Sequence, residues 1–131
     1  MTELQKKIEA LLKDPDRTVQ ELYDAVEQQL GFVPSILTSM AERPDILIAS
    51  VLTPYFLLGK PKALDRKTAE LIAFACAVAV RGEACTKVHL KVAREAGATK
   101  EEIFEALMIG SLMAQTAVQA SAFKVYQDEV E

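Results

Sequence analysis

The apolar residues of the chain recur with helical spacing, and the polar residues between them are typical of helix ends. No stretch alternates apolar and polar residues as a half-buried strand does, and there is no Asn-Gly or Asp-Gly hairpin turn. We therefore predict an all-α fold. The length of 131 residues fits one domain, residues 1–131, which can bury a core without disulfides or metals.

Proline, glycine and capping residues set the predicted helix boundaries. A first helix ends at Asp14-Pro15-Asp16, and Thr18 with Glu21 has the spacing of a capping box that begins the second helix, which ends near Gly31. Two further helices are predicted over about 35–42 and 44–59, and a third is capped by Asp65 and runs to Val80. The next covers 83–96, and Gly97 is expected to be left-handed after it. The last helix begins at a capping box of Thr99 and Glu102 and continues into the 120s.

Two predicted helices are apolar on nearly every side, over Leu71 to Val80 and Ala106 to Phe123. A helix without a polar face must be surrounded by other elements. Because one small domain has difficulty surrounding two such helices, we predict that part of this surface is buried against another copy of the chain. The alternative is a compact monomer built around one central helix.

The last helix also raises the question of a membrane span. Eighteen residues between Glu105 and Lys124 carry no charge, which is about the length that crosses a bilayer. Ser111, Gln115 and Gln119 interrupt this stretch at every fourth position, so a buried helix is the favoured interpretation. These three polar residues either line a pocket or form hydrogen bonds across a subunit interface, and a plain buried polar network is the simplest alternative.

Charge and composition narrow the classes of partner. The net charge is −4, which argues against the basic face of a nucleic-acid binder and against a polybasic membrane anchor. Small molecules or other proteins are therefore the expected ligands. Two cysteines are too few for a disulfide framework, and Met1 to Lys7 mixes charges where a signal peptide needs an apolar run. We expect a reducing, cytoplasmic location.

Cys85 and His89 form the most distinctive pair of residues. On a helix over 83–96 they share one face with Val92, Ala93 and Ala96, whereas Lys87, Lys91 and Arg94 fall on the opposite, solvated face. Residues four apart on a helix are neighbours. A cysteine in a first turn, beside an imidazole, is in a setting that favours a nucleophilic thiolate. The alternative is an ordinary half-buried pair.

Two further residues bear on this pair. Cys76 lies in the apolar run Phe74 to Val78, which predicts a small buried side chain, and a disulfide between Cys76 and Cys85 is not expected from their positions on successive helices. Glu70 is either a surface carboxylate paired with Arg66 or a carboxylate that reaches His89 across the helix pair and sets its tautomer.

At these residues the chain resembles a known superfamily. The runs Leu64 to Ala73, Cys85 to His89 and Ala93 to Ile103 resemble the carboxymuconolactone decarboxylase and AhpD-like alkylhydroperoxidase superfamily, over about 45–125 and most clearly over 64–107. The resemblance implies an AhpD-like helical bundle that assembles as a trimer or hexamer. It also implies a site of Glu70, Cys85 and His89 that needs no cofactor and no metal.

The chain departs from the peroxidase branch at one position. That branch carries a glutamate followed by Cys-x-x-Cys-x-x-x-His, and Gly82 stands here in place of the first cysteine. The disulfide within the motif therefore cannot form. A resolving thiol for an oxidised Cys85 would have to come from Cys76, a second subunit or a small thiol. The decarboxylase branch generally lacks the cysteine pair and keeps the histidine.

Three functions remain open from the sequence. The first is a thiol-dependent peroxidase or disulfide-exchange protein in which Cys85 is the nucleophile, His89 the proton acceptor and Glu70 the residue that orients it. The second is a cofactor-free lyase for a lactone carboxylate, with His89 and Glu70 moving protons and Arg66 or Arg81 holding the carboxylate. The third is a non-catalytic oligomer with a vestigial site. A zinc site of Glu70, Cys85 and His89 is a remote fourth alternative.

Overall fold

The computed structural model describes residues 1–130, and every regular element within them is helical. The predicted all-α class is therefore confirmed. The helices are α1 (Glu3–Leu11), α2 (Pro15–Leu30), α3 (Ser35–Met40), α4 (Pro44–Pro54), α5 (Arg66–Ala79), α6 (Glu83–Glu95) and α7 (Lys100–Val130), and a π-helical turn (Tyr55–Gly59) continues α4.

The start of α2 differs from the prediction. The side chain of Asp14 accepts a hydrogen bond from the Arg17 amide and caps the helix, and Pro15 occupies its first position. The Thr18 hydroxyl instead donates to the carbonyls of Leu11 and Asp14. The predicted capping box at Thr18 is wrong because Pro15, with its fixed φ and no amide hydrogen, is well suited to begin the helix four residues earlier than a cap at Thr18 would.

The helix ends around the candidate site are confirmed. The Asp65 carboxylate accepts the Thr68 amide at 2.9 Å and begins α5. Thr99 and Glu102 form the predicted capping box of α7, in which each side chain accepts the backbone amide of the other residue. Gly97 has φ of +92°, the left-handed conformation expected after α6.

The chain divides into two compact units, Met1–Lys60 and the residues from Pro61 onward. In the first unit α2 and α3 pack against α4, and Leu47 of α4 is completely buried. No residue of α1 is buried.

In the second unit α5 is the central helix, with α6 and α7 packed against it. Phe74 and Ala77 of α5 are buried, as are Val92 and Ala93 of α6. On α7, Gly110 lies against the backbone of Ala75, so closely that a β-carbon at position 110 would be 3.2 Å from the Ala75 Cα. This unit carries all the candidate site residues.

The helix α7 is much more exposed in the single chain than in a compact monomer built around one central helix. Gly110 is its one buried residue among those described, and large apolar side chains such as Met113 and Phe123 are more than half exposed. The alternative of a compact monomer that buries this helix is therefore wrong, because α5 covers one side of α7 and only part of its length. By length and composition α7 is also the one described helix that could cross a membrane, which by itself is weak evidence for a span.

Candidate functional site

Glu70 is placed in the interior by the cap and the packing of α5. The helix begins at Asp65, and its buried side carries Ala69, Phe74 and Ala77 with Glu70 among them. The Glu70 side chain is only 5% exposed. A buried carboxylate is costly unless a donor satisfies it, so the structure must supply one.

His89 of α6 supplies that donor. Its Nδ1 lies 2.8 Å from Oε2 of Glu70, and its side chain is 22% exposed. The alternative of a surface carboxylate paired with Arg66 is wrong, because Glu70 points into the interface between α5 and α6. Within residues 1–130 no ion pair joins Glu70 and Arg66.

This contact fixes the chemistry of the imidazole ring. An ionised carboxylate has no hydrogen to donate, so Nδ1 of His89 carries one and donates it to Glu70. In the neutral ring Nε2 is then unprotonated and can accept a proton. No hydrogen bond occupies Nε2 within the described part of the chain. With Glu70 ionised, the contact therefore holds the His89 ring in the tautomer that has its hydrogen on Nδ1.

Cys85 lies in the first turn of α6, one turn before His89, and its side chain is exposed. Gly82 is the N-cap of this helix and offers no side chain to its free amides, which favour negative charge nearby. The structure therefore brings Glu70 and His89 into direct contact and leaves Cys85 accessible to solvent. No hydrogen bond joins the Cys85 sulfur to His89 among the residues described.

Position 82 has room for a side chain. Gly82 has φ of −81°, an ordinary value for any residue. A β-carbon there would lie 3.7 Å from Cβ of Cys85 and 3.7 Å from the Ala77 carbonyl oxygen, which are normal contacts. The glycine in place of the first motif cysteine is therefore not required by the backbone. The left-handed residue of this turn is Arg81, with φ of +59°. Glycine adopts this conformation more readily than arginine, so the sequence would have favoured Gly82 for it.

Cys76 is exposed, which contradicts the prediction of a small buried side chain. It shares the uncovered side of α5 with Ile72 and Val80, which are 47% and 78% exposed. The apolar sequence around Cys76 was misleading because α6 and α7 cover only part of α5. Cys76 and Cys85 are both free thiols, as expected.

Two further features of the site region concern possible ligands. Within the described residues there is no group of three or more His, Cys, Asp or Glu side chains that could hold a metal ion. The basic side of α6 forms a shallow hollow lined by Lys87, Leu90, Lys91, Arg94 and Glu95. Lys87 pairs there with Glu83 at 2.7 Å.

Comparison with known protein families identifies the family of the chain. The sequence profile of the Carboxymuconolactone decarboxylase family matches residues 50–128, which include Glu70, Cys85 and His89. The chain belongs to this family. Carboxymuconolactone decarboxylase family membership agrees with the all-helical fold and with the resemblance seen in the sequence.

One curated relative extends this comparison. "Uncharacterized protein 4 in cox locus" of Paracoccus denitrificans is 39% identical to the chain over 71 residues, which are 53% of this chain and 64% of that protein. The chain thus spans less than two thirds of that relative. No solved structure matches the chain.

Proposed function

We propose that the protein is a thiol-dependent oxidoreductase that reduces a peroxide or exchanges with a disulfide through Cys85. The observation that carries this proposal is an exposed thiol one helical turn from an imidazole whose Nδ1 is bound by a buried carboxylate. His89 would accept the thiol proton, and Glu70 would hold the ring in the accepting tautomer. Membership of the Carboxymuconolactone decarboxylase family and the resemblance to AhpD-like alkylhydroperoxidases both support this chemistry.

The first step would consume the peroxide. The Cys85 thiolate attacks one peroxide oxygen, the O–O bond breaks, and the sulfur becomes a sulfenic acid. The leaving alkoxide takes the proton that His89 received from the thiol and departs as an alcohol. The sulfur is oxidised by two electrons and the peroxide is reduced by two.

The second step would need an external thiol, because Gly82 stands where a resolving cysteine of the motif would be. A low-molecular-weight thiol attacks the sulfenic sulfur, releases water and forms a mixed disulfide. A second molecule of the same thiol then releases Cys85 and leaves as the small-molecule disulfide. A reducing cytoplasm would supply such thiols.

The proposal is tested by the rate of oxidation of each cysteine. The protein is treated with excess alkyl hydroperoxide and a 1,3-diketone that traps sulfenic acid, and adducts at Cys85 and Cys76 are followed by peptide mass spectrometry. Cys76 is a useful internal control because it is also exposed and free. We expect Cys85 to react at least about ten times faster, since only Cys85 has a base one turn away.

A His89→Gln variant separates the base from the fold. The glutamine amide can still donate to Glu70 but cannot accept a proton at neutral pH. We expect Cys85 oxidation to slow toward the rate of Cys76 while the helical circular dichroism is unchanged. Equal rates for Cys76 and Cys85 in the unmodified protein would rule out the proposal.

A second candidate is a cofactor-free lyase that decarboxylates a lactone carboxylate. The observation in its favour is that the contact between Glu70 and His89 does not involve Cys85. In this function the pair would transfer protons and Cys85 would only border the site. A Cys85→Ala variant with full activity on a lactone carboxylate, and no activity in His89→Gln, would establish it over the thiol mechanism.

A further inference from the structure

The turn between α5 and α6 leaves an open notch beside Cys85. A β-carbon at position 82 would lie 3.7 Å from Cβ of Cys85, 3.7 Å from the Ala77 carbonyl oxygen and 3.8 Å from Cγ2 of Val80. Gly82 has no β-carbon, so the space that these three residues border, the Gly82 notch, is not filled by residue 82. Cys85 is exposed and Val80 is 78% exposed, so the notch opens to solvent.

The backbone of this turn is fixed, so the notch is preformed. The Gly82 amide donates to the Ala77 carbonyl at 2.9 Å, and the Arg81 amide donates to the Val78 carbonyl at 3.0 Å, which closes the end of α5. The Gly82 carbonyl accepts the amide and the hydroxyl of Thr86, both at 2.8 Å. Both backbone polar groups of Gly82 are therefore satisfied within the chain, and a ligand can enter without breaking either bond.

Arg81 places a positive charge next to the notch. It precedes Gly82, it is exposed, and it has no ion pair within residues 1–130. The neighbouring acidic residue, Glu83, is already paired with Lys87 at 2.7 Å. Arg81 also has φ of +59°, a conformation that glycine adopts at lower cost. An arginine kept where the backbone favours glycine indicates a use for its guanidinium group, which is suited to binding carboxylates.

We propose that the Gly82 notch admits a small thiol that carries a carboxylate, with its sulfur against Gly82 and its carboxylate on Arg81. This inference rests on the proposed function, in which Cys85 is oxidised to a sulfenic acid. A cysteine at position 82 would have its β-carbon 3.7 Å from that of Cys85, within the separation that disulfides show. Because glycine occupies the position, an external sulfur can approach Cys85 from the same side.

The reaction in the notch reduces the sulfenic acid of Cys85. The small thiol gives up its proton, and its sulfur attacks the sulfenic sulfur. A sulfur–sulfur bond forms, the sulfur–oxygen bond breaks, and the leaving hydroxide combines with the released proton as water. The Cys85 sulfur is reduced and the small thiol is oxidised, which leaves a mixed disulfide. Arg81 binds the carboxylate and takes no part in these bond changes, so its effect is on the choice of thiol.

Two thiols that differ in one group test the role of Arg81. The protein, in a Cys76→Ser background, is oxidised with hydrogen peroxide and mixed with 3-mercaptopropionate or 2-mercaptoethanol, and the mixed disulfide is followed by rapid quench and intact mass. After correction for the thiolate fraction of each reagent, we expect mercaptopropionate to react about two to five times faster, the range for one exposed ion pair. Arg81→Gln should abolish this preference, and Arg81→Lys should retain most of it.

Lys87→Gln is the matched control for charge. It also removes one positive charge from this region, but Lys87 pairs with Glu83 on the solvated side of α6. Its preference for mercaptopropionate should equal that of the parent. Equal loss of the preference in Arg81→Gln and Lys87→Gln would show a general charge effect and overturn the proposal.

A side chain at position 82 tests the notch itself. Gly82→Val is compared with Ala84→Val, because Ala84 is exposed and adjacent to Cys85 in sequence but is not among the residues that border the notch. We expect Gly82→Val to lower the rate of mixed-disulfide formation, relative to the rate of sulfenic acid formation, by at least about fivefold. Ala84→Val should leave this ratio unchanged, and circular dichroism should confirm that both variants remain helical.

The inference and the proposed function fail in different ways. Absence of sulfenic acid at Cys85 would overturn both. Sulfenic acid that forms but reacts equally with the two thiols, or equally in Gly82→Val and Ala84→Val, would overturn only the assignment of the Gly82 notch. A disulfide between Cys76 and Cys85 in the oxidised parent, in place of the mixed disulfide, would also overturn it.

Discussion

At the level of single residues, the contact between Glu70 and His89 gives the candidate site its fixed geometry. The carboxylate is almost completely buried and the imidazole is its hydrogen-bond partner at 2.8 Å. A buried hydrogen-bonded pair of this kind restricts both side chains. Cys85, in contrast, is exposed, so the candidate site combines a buried hydrogen-bonded pair with an accessible sulfur.

The glycine at position 82 leads to a prediction about this sulfur. A β-carbon at position 82 would lie 3.7 Å from Cβ of Cys85, within the separation that disulfides show. We expect Gly82→Cys, in a Cys76→Ser background, to form an intramolecular disulfide with Cys85. Thiol titration after mild oxidation should then find no free thiol in the folded protein.

The Gly82→Ser variant is the control, because it adds a side chain of similar size and leaves one titratable thiol in the same background. Both variants should keep the circular dichroism of the parent, since the backbone at this position has an ordinary φ. Persistence of two free thiols in Gly82→Cys after oxidation would contradict the prediction.

At the level of elements, the crossing of α5 and α7 depends on a glycine. A β-carbon at position 110 would clash with the backbone carbonyl of Ala75, and backbone cannot move aside as a side chain can. We expect Gly110→Ala to destabilise the protein by about 1–3 kcal/mol, the usual cost of overpacking. Urea unfolding measures this as a lower midpoint.

Gly59 provides the matched control for that substitution. It is also helical in conformation, and a β-carbon there meets nothing within 4 Å. Gly59→Ala should leave the midpoint unchanged or raise it slightly, since alanine reduces the freedom of the unfolded chain. A Gly110→Ala protein as stable as Gly59→Ala would show that the two helices do not pack this closely.

The ion pair between Lys67 and Glu102 connects the same two helices and predicts a pH dependence. The Lys67 side chain and then the Thr99 amide hold the pKa of Glu102 below its ordinary value of 4.5. The contribution of Glu102 is therefore present above about pH 4.5 and is lost as the pH falls through the lowered folded-state value.

The Glu102→Gln variant should accordingly be less stable than the parent at neutral pH and should differ less from it in acid. Urea unfolding at neutral pH and at about pH 3 measures both differences. Glu101→Gln is the control, because Glu101 is exposed and has no ion pair within residues 1–130. A constant difference between parent and Glu102→Gln across this pH range would disagree with the assignment.

At the level of the whole molecule, the chain divides after Lys60 into two compact units. The segment between the π-helical turn and α5 has no regular structure, and Lys62 in it is exposed. We expect limited trypsin digestion to cut first after Lys62, because Pro61 blocks cleavage after Lys60. Mass spectrometry should find fragments 1–62 and 63–131. First cleavage inside α5 or α6 would contradict this.

The sequence alone determined the features that depend on neighbouring residues. The caps at Asp65 and Thr99, the left-handed Gly97 and the spacing of Cys85 and His89 on one helix were all predictable. Each rests on interactions within about four residues along the chain, which the local sequence specifies. The exception is the start of α2, where Asp14 and Thr18 were both possible caps and the helix begins after Asp14.

Only the tertiary structure decided which side of each helix is covered. It chose His89 over Arg66 as the partner of Glu70, placed Cys76 in solvent, and left the second half of α7 without support from its own chain. These outcomes depend on how the helices pack against one another. Residues far apart in the sequence then come into contact, as Glu70 and His89 do across a separation of 19 residues. Hydrophobic spacing shows that a helix has an apolar side, but the packing of α5 against α6 and α7 determines how much of that side is buried.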